Sequence, residues 1–100
     1  MRWAAALLLA LAACGHTDPH ELYQRGRVYY RLGDYRSAIR DFEAAYRTTR
    51  APALLYDLAQ AHRLDGDKSR ALPLYRAYLH DVPNAKNRFE VEQRIAELVK

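Results

Sequence analysis

Residues Leu22–Tyr46 read LYQRGRVYYRLGDYRSAIRDFEAAY, and Leu55–Leu79 read LYDLAQAHRLDGDKSRALPLYRAYL, 33 residues further on. The two stretches line up on Gly33-Asp34 and Gly66-Asp67. Large apolar residues then coincide at Leu22 and Leu55, and small ones at Gly26 and Ala59. Small residues coincide again at Ala38 and Ala71, and aromatic ones at Phe42 and Tyr75. Within the first copy, Leu22, Gly26, Tyr29 and Tyr30, then Ala38, Phe42, Ala45 and Tyr46, recur at three and four, the period of a helix. No run alternates with period two for long enough to argue a strand. Each Gly-Asp pair reads as a helix-ending glycine followed at once by the acid that caps the next helix. Each copy is therefore expected to be helix, turn, helix.

Working outward, Asp18-Pro19-His20-Glu21 offers a capping acid, proline at the first helical position and a glutamate three after the cap. Pro52 can open a third helix, and Pro83 ends the fourth. Asn84 or Asn87 caps a fifth, with Glu90 three after Asn87. The expected helices are 19–32, 35–49, 52–65, 68–81 and 86–99. Pro73 conflicts with the fourth, because a proline inside a helix loses a hydrogen bond and clashes with the preceding turn. That helix should either begin later, near Arg70, or kink. In the fifth, Val91, Ile95 and Leu98 face one way, while Glu90, Glu92, Arg94, Glu97 and Lys100 largely face the other.

Self-similarity near 34 residues, in paired helices, resembles the tetratricopeptide repeat. The residues that carry the resemblance are Leu22, Gly26, Gly33, Ala38 and Phe42 in one copy, and Leu55, Ala59, Gly66, Ala71, Tyr75 and Pro83 in the other. Small residues let two helices cross closely, and large aromatics fill the space between successive helices. The chain departs from the pattern where His62 stands in the place of Tyr29, Tyr78 in that of Ala45, and Arg50 where Pro83 closes the second copy. The resemblance implies an all-α fold, a short TPR-like helical solenoid of two helix-turn-helix repeats. These cover residues 19–84 (about 19–51 and 52–84), with 85–100 as a C-terminal capping helix whose polar face ends the stack. Two repeats are few, since three or more usually bury a continuous core. The capping helix, a partner or self-association would complete it. In this family the first helix of each pair lines a concave groove that binds peptides. Carried over, the groove residues are Tyr23, Arg27, Tyr30 and Arg31, with Tyr56, Gln60 and Arg63, and Leu64 at its edge. Tyrosine and arginine dominate binding hot spots. Such a groove would suit a segment with acidic groups or a C-terminal carboxylate. Ordinary solvated arginines and half-packed tyrosines would read the same way in sequence.

The start of the chain, MRWAAALLLALAACGHTDPH, holds its single cysteine. A positive Arg2, an apolar run Trp3–Ala13 and a polar sequel are the marks of a signal peptide. The run is shorter than the about 20 residues a spanning helix needs. Leu11-Ala12-Ala13-Cys14 resembles the lipobox of bacterial lipoproteins. That resemblance implies cleavage after residue 13, acylation of Cys14 and a short tether over 14–18. Several acyl chains make a stable membrane anchor, where one is marginal. Gly15 after the cysteine, by similarity to enterobacterial sorting, favours the periplasmic face of the outer membrane over the inner membrane.

The formal net charge of +4 is carried by arginines interspersed with acids, which reads as a solvated helical surface. Export argues against nucleic acid as a partner. No catalytic constellation, glycine-rich phosphate loop or H-E-x-x-H motif is present, so neither an enzyme nor a cofactor is expected. His16, Asp18, His20 and Glu21 could gather a metal, but Asp18 and Glu21 already have capping roles. His62 sits at a packing position, and His80 at a helix end, where a cation suits the dipole. The expectation is a membrane-anchored interaction scaffold whose partner is another envelope protein or a peptide segment of one. The alternative is a self-associating structural component with no peptide groove. In plan the chain is similar to the tetratricopeptide lipoproteins that assist β-barrel assembly and to the pilotins of secretins, which carry more repeats.

Overall fold

The computed structural model describes residues 17–100. The signal stretch 1–13, Cys14 and the start of the tether lie outside the described residues. Five helices follow one another: α1 (Pro19–Arg31), α2 (Tyr35–Thr49), α3 (Ala53–Leu64), α4 (Lys68–Asp81) and α5 (Arg88–Leu98). Each packs on its neighbour in sequence, α1 on α2, α2 on α3, α3 on α4 and α4 on α5. The fold is all-α, a helical repeat of the tetratricopeptide type. Among the described residues no helix is long and apolar enough to cross a membrane.

The two turns are built alike. After α1, the N–H groups of Gly33 and Asp34 donate to the carbonyls of Tyr30 and Tyr29. After α3, Gly66 and Asp67 donate to Arg63 and His62 in the same pattern. This closure requires a left-handed residue, which glycine supplies at φ 80° and 86°. The aspartate that follows caps the next helix at once. Asp34 accepts from the Ser37 N–H at 3.2 Å and from its hydroxyl at 2.7 Å. Asp67 accepts from the Arg70 N–H at 3.2 Å and the Ser69 hydroxyl at 2.9 Å. These hydrogen bonds, foremost those from the serine hydroxyls, hold both carboxyls below the ordinary aspartate value.

Two core clusters follow from the small-large alternation. Ala38, Phe42, Ala45, Leu54 and Leu58 form one, and Ala59, Ala71, Tyr75, Leu79 and Val91 the other, with Leu74 touching both. Gly26 is small because Phe42 is there: a Cβ on Gly26 would meet the Phe42 ring at 2.7 and 2.8 Å. Ile95 and Leu98 of α5 pack with Val91 on the second cluster.

Three expectations are corrected. The fourth helix does not wait for Arg70; it runs from Lys68 to Asp81, with Pro73 inside. Pro73 can make no N–H bond to Ser69, and the cap at Asp67 and the buried Ala71 and Tyr75 hold the turn regardless. Asn87 stands at the start of α5 but makes no side-chain cap. Its Oδ1 instead accepts from the Tyr78 hydroxyl at 2.7 Å, tying α4 to the start of α5. The outer surface of α5 is not wholly polar, since Phe89 and Val99 are exposed.

Candidate functional site

The first helices of the two repeats, α1 and α3, flank a cavity of 270 Å³ whose back wall is Phe42 of α2. Arg27, Tyr30 and Arg31 line it from α1, and Tyr56, Asp57 and Gln60 from α3. Helical spacing explains the set: 27, 30 and 31 share one side of α1, and 56, 57 and 60 one side of α3. Five of the seven groove residues expected from sequence thus meet at one cavity.

The other two do not line it. Tyr23 lies with its ring 6.0 Å from that of Phe42, and the Arg27 guanidinium sits 5.7 Å from the Tyr23 centroid. The Tyr23 side chain borders a second, more apolar cleft with Pro19, His20, Ala45, Thr49, Ala51, Ala53 and Leu54. Arg63 turns towards α4. Its Nε donates to the Tyr75 hydroxyl at 3.0 Å and its Nη2 to Gln60 Oε1 at 3.4 Å. Gln60 Oε1 also accepts from the Tyr75 hydroxyl. The cause is Tyr75 itself: wholly buried, its phenol needs polar partners, and Arg63 and Gln60 supply them. Leu64 is exposed and away from the cavity lining.

Asp57 escapes the sequence reading altogether. In a helix a lone aspartate looks solvated, yet here burial pushes its carboxyl up to about 6, and the nearby Arg27 charge draws it down only in part. Burial likewise raises the Tyr30 and Tyr56 hydroxyls above the ordinary tyrosine value. The one available signal was spacing, because Asp57 stands three before Gln60 on the groove side of α3.

Two further polar groups are buried. Asp41 of α2 is 1% exposed and receives Arg25 of α1 at two points, 2.7 and 2.8 Å. Those hydrogen bonds, and then the charge itself, raise the Arg25 guanidinium above its ordinary value. His62 is buried with Nδ1 3.9 Å from Asp67 Oδ2, a packing residue beside the second turn. At the start of α1, Asp18 accepts from the His20 N–H at 2.8 Å, the capping role expected of it. Among the described residues no group of three or more histidine, cysteine, aspartate or glutamate side chains comes together.

A family model described as tetratricopeptide repeat matches residues 23–86. The chain therefore belongs to the tetratricopeptide repeat family. Repeats of this family generally mediate protein–protein contacts and are generally non-catalytic. No curated protein matches the chain.

Proposed function

We propose that the protein is a small lipid-anchored adaptor of a bacterial envelope, which holds a segment of another envelope protein between α1 and α3. The observation that carries the reading is the cavity where two arginines and two tyrosines from the first helices of both repeats converge. These residue types are the ones that anchor interfaces. Arg27 and Arg31 stand ready for acidic groups on the partner. The lipobox Leu11-Ala12-Ala13-Cys14 supports the anchor, and Gly15 supports the outer membrane as its site. The anchor would keep the cavity within a few nanometres of the membrane, where a partner meets it at raised local concentration.

The test is crosslinking from native membranes, using the full-length chain beside a variant with Arg31→Glu and Tyr56→Ala. Loss of one captured envelope protein in the variant, with helicity unchanged, supports the cavity as the working face. Identical captures from both chains reject it. In the same cells, an alkyne-bearing fatty acid should label the wild-type chain and not Cys14→Ser. Equal labelling would reject the anchor while leaving the cavity reading intact.

A second reading, self-association, has its own observation. Val28 and Leu32, in α1 and at its end, and Phe89 and Val99, in α5 and at its end, are exposed apolar side chains on the first and last of the described helices. A mass that rises with concentration, and falls to that of a monomer on Leu32→Glu and Phe89→Glu, would favour it.

A further inference from the structure

The polar groups of the α1–α3 cavity are not equally served. Gln60 is engaged by Tyr75 and Arg63, and Arg27 rests against the Tyr23 ring. Asp57 is different. Among the described residues its carboxylate accepts no hydrogen bond and forms no ion pair, although burial raises its proton affinity. The groups that face the same space are Arg27, Tyr30 and Arg31 of α1, Phe42 of α2, and Tyr56 and Gln60 of α3. Asp57 is half-buried at the wall of the cavity, so its carboxylate is open to a donor carried by whatever occupies that space.

We propose that Asp57 receives a lysine or arginine side chain of the bound segment, seated beside Tyr30 and Tyr56, while acidic residues of the same segment meet Arg27 and Arg31. The proposal rests on the reading of this cavity as the partner-binding face, and it specifies the partner's charge pattern. An unpartnered carboxylate flanked by electron-rich rings in a partly desolvated space is the chemistry that selects a cation. A purely acidic segment would set its carboxylates beside an ionised Asp57, a like-charge contact that costs most where water is scarce. A purely basic one would face Arg27 and Arg31. A mixed-charge segment meets all three. In an extended partner the basic and acidic residues stand two apart, on one side of the strand. In a helical partner they stand three or four apart.

The experiment pans a displayed library of random dodecapeptides against the full chain purified in detergent, and against Asp57→Asn, a change of charge at constant shape. Wild type should enrich peptides with lysine or arginine at one of those spacings from aspartate or glutamate. Asp57→Asn should keep the acidic residue and lose the basic one. A peptide chosen on wild type should bind the variant at least tenfold more weakly and shift the Asp57 carboxyl titration to lower pH on wild type. Enrichment of the same acidic-only peptides by both chains overturns the proposal while sparing the groove. Peptides that bind equally to wild type, Asp57→Asn and Arg31→Glu overturn the groove reading, and the proposal with it. No enrichment from a chain of unchanged helicity also counts against both. Circular dichroism of each variant, with Asp57→Ser as a second substitution, separates misfolding from lost recognition.

Discussion

In the first repeat Arg25 and Asp41 pair across α1 and α2; 33 residues on, the same two positions are Leu58 and Leu74. Phe42, beside that pair, needs nothing polar, whereas its counterpart Tyr75 brings in Gln60 and Arg63. Gly26 lets Phe42 in, and Ala59 suffices beside Tyr75. The backbone arrangement is shared and the side-chain chemistry is exchanged position by position. A helix pair therefore constrains size at its crossings more tightly than polarity. A polar group is tolerated in either copy once its partner arrives on the facing helix.

The largest effect should come from the crossing itself. Phe42 is 1% exposed and fills the first core cluster, so Phe42→Ala should cost about 3–5 kcal/mol. Gly26→Ala should cost less, about 1–2 kcal/mol, because the new Cβ forces the buried ring aside and overpacking outweighs the helix propensity gained. Urea denaturation checks both. A Gly26→Ala chain as stable as wild type would show that the close crossing is not what selects glycine there.

A swap tests the exchange of polarity. Replacing a buried ion pair by apolar residues is often neutral or stabilising, whereas removing one partner leaves a buried charge unanswered. The double variant Arg25→Leu with Asp41→Leu, which copies the second repeat, should denature at the same urea concentration as wild type or a higher one. Arg25→Leu alone should denature earlier than either. Equal midpoints for the single and double variants would mean that Asp41 finds water when Arg25 is gone.

Asp57 marks where the copies stop being equivalent. Its counterpart Gln24 is exposed on α1, the first of the described helices, while Asp57 on α3 has α1 and α2 stacked ahead of it. The folded chain holds a proton on Asp57 up to about pH 6, and the unfolded chain only up to 3.8. Stability from this group is therefore present below 3.8 and lost as pH rises towards 6. Two units at about 1.36 kcal/mol each, reduced for partial exposure, leave about 1–2 kcal/mol. Asp57→Asn should be more stable than wild type by that amount at pH 7, with the difference shrinking as pH falls and vanishing only below 3.8. A constant difference across this range would place the Asp57 carboxyl in water.

What could be read from residues alone followed range. The capping acids Asp18, Asp34 and Asp67 and the glycine turns act within a few residues, so their roles were legible. So were Phe42, Tyr75 and the small residues, because the 33-residue offset displays each twice. The inward turn of Arg63 was not, since it depends on a phenol twelve residues away where the first copy has Phe42. Asp57 was missed for the same reason: its burial is made by helices of the preceding repeat. The span 68–81 was legible despite Pro73, but not the choice of start: the local cost of a proline is visible in sequence, and the packing of Ala71 and Tyr75 that offsets it is not.

The smallest effect belongs to the join between the repeats. Arg50 ends α2 at φ 54°, a left-handed conformation that the two Gly-Asp turns give to glycine. Its N–H donates to the Tyr46 carbonyl at 2.8 Å, and its guanidinium lies 5.3 Å from the Tyr46 ring centroid. Arg50→Gly should relieve about 1 kcal/mol of backbone strain and forfeit about 0.5 kcal/mol of exposed cation–ring attraction, for a net gain of about 0.5 kcal/mol. Arg50→Lys separates the two, keeping the strain and a cation while losing the planar stacking, and should sit slightly below wild type. If Arg50→Gly instead destabilises, the contact with Tyr46 outweighs the strain. The arginine standing where Pro83 closes the second copy would then be a fastening between the repeats rather than a tolerated departure.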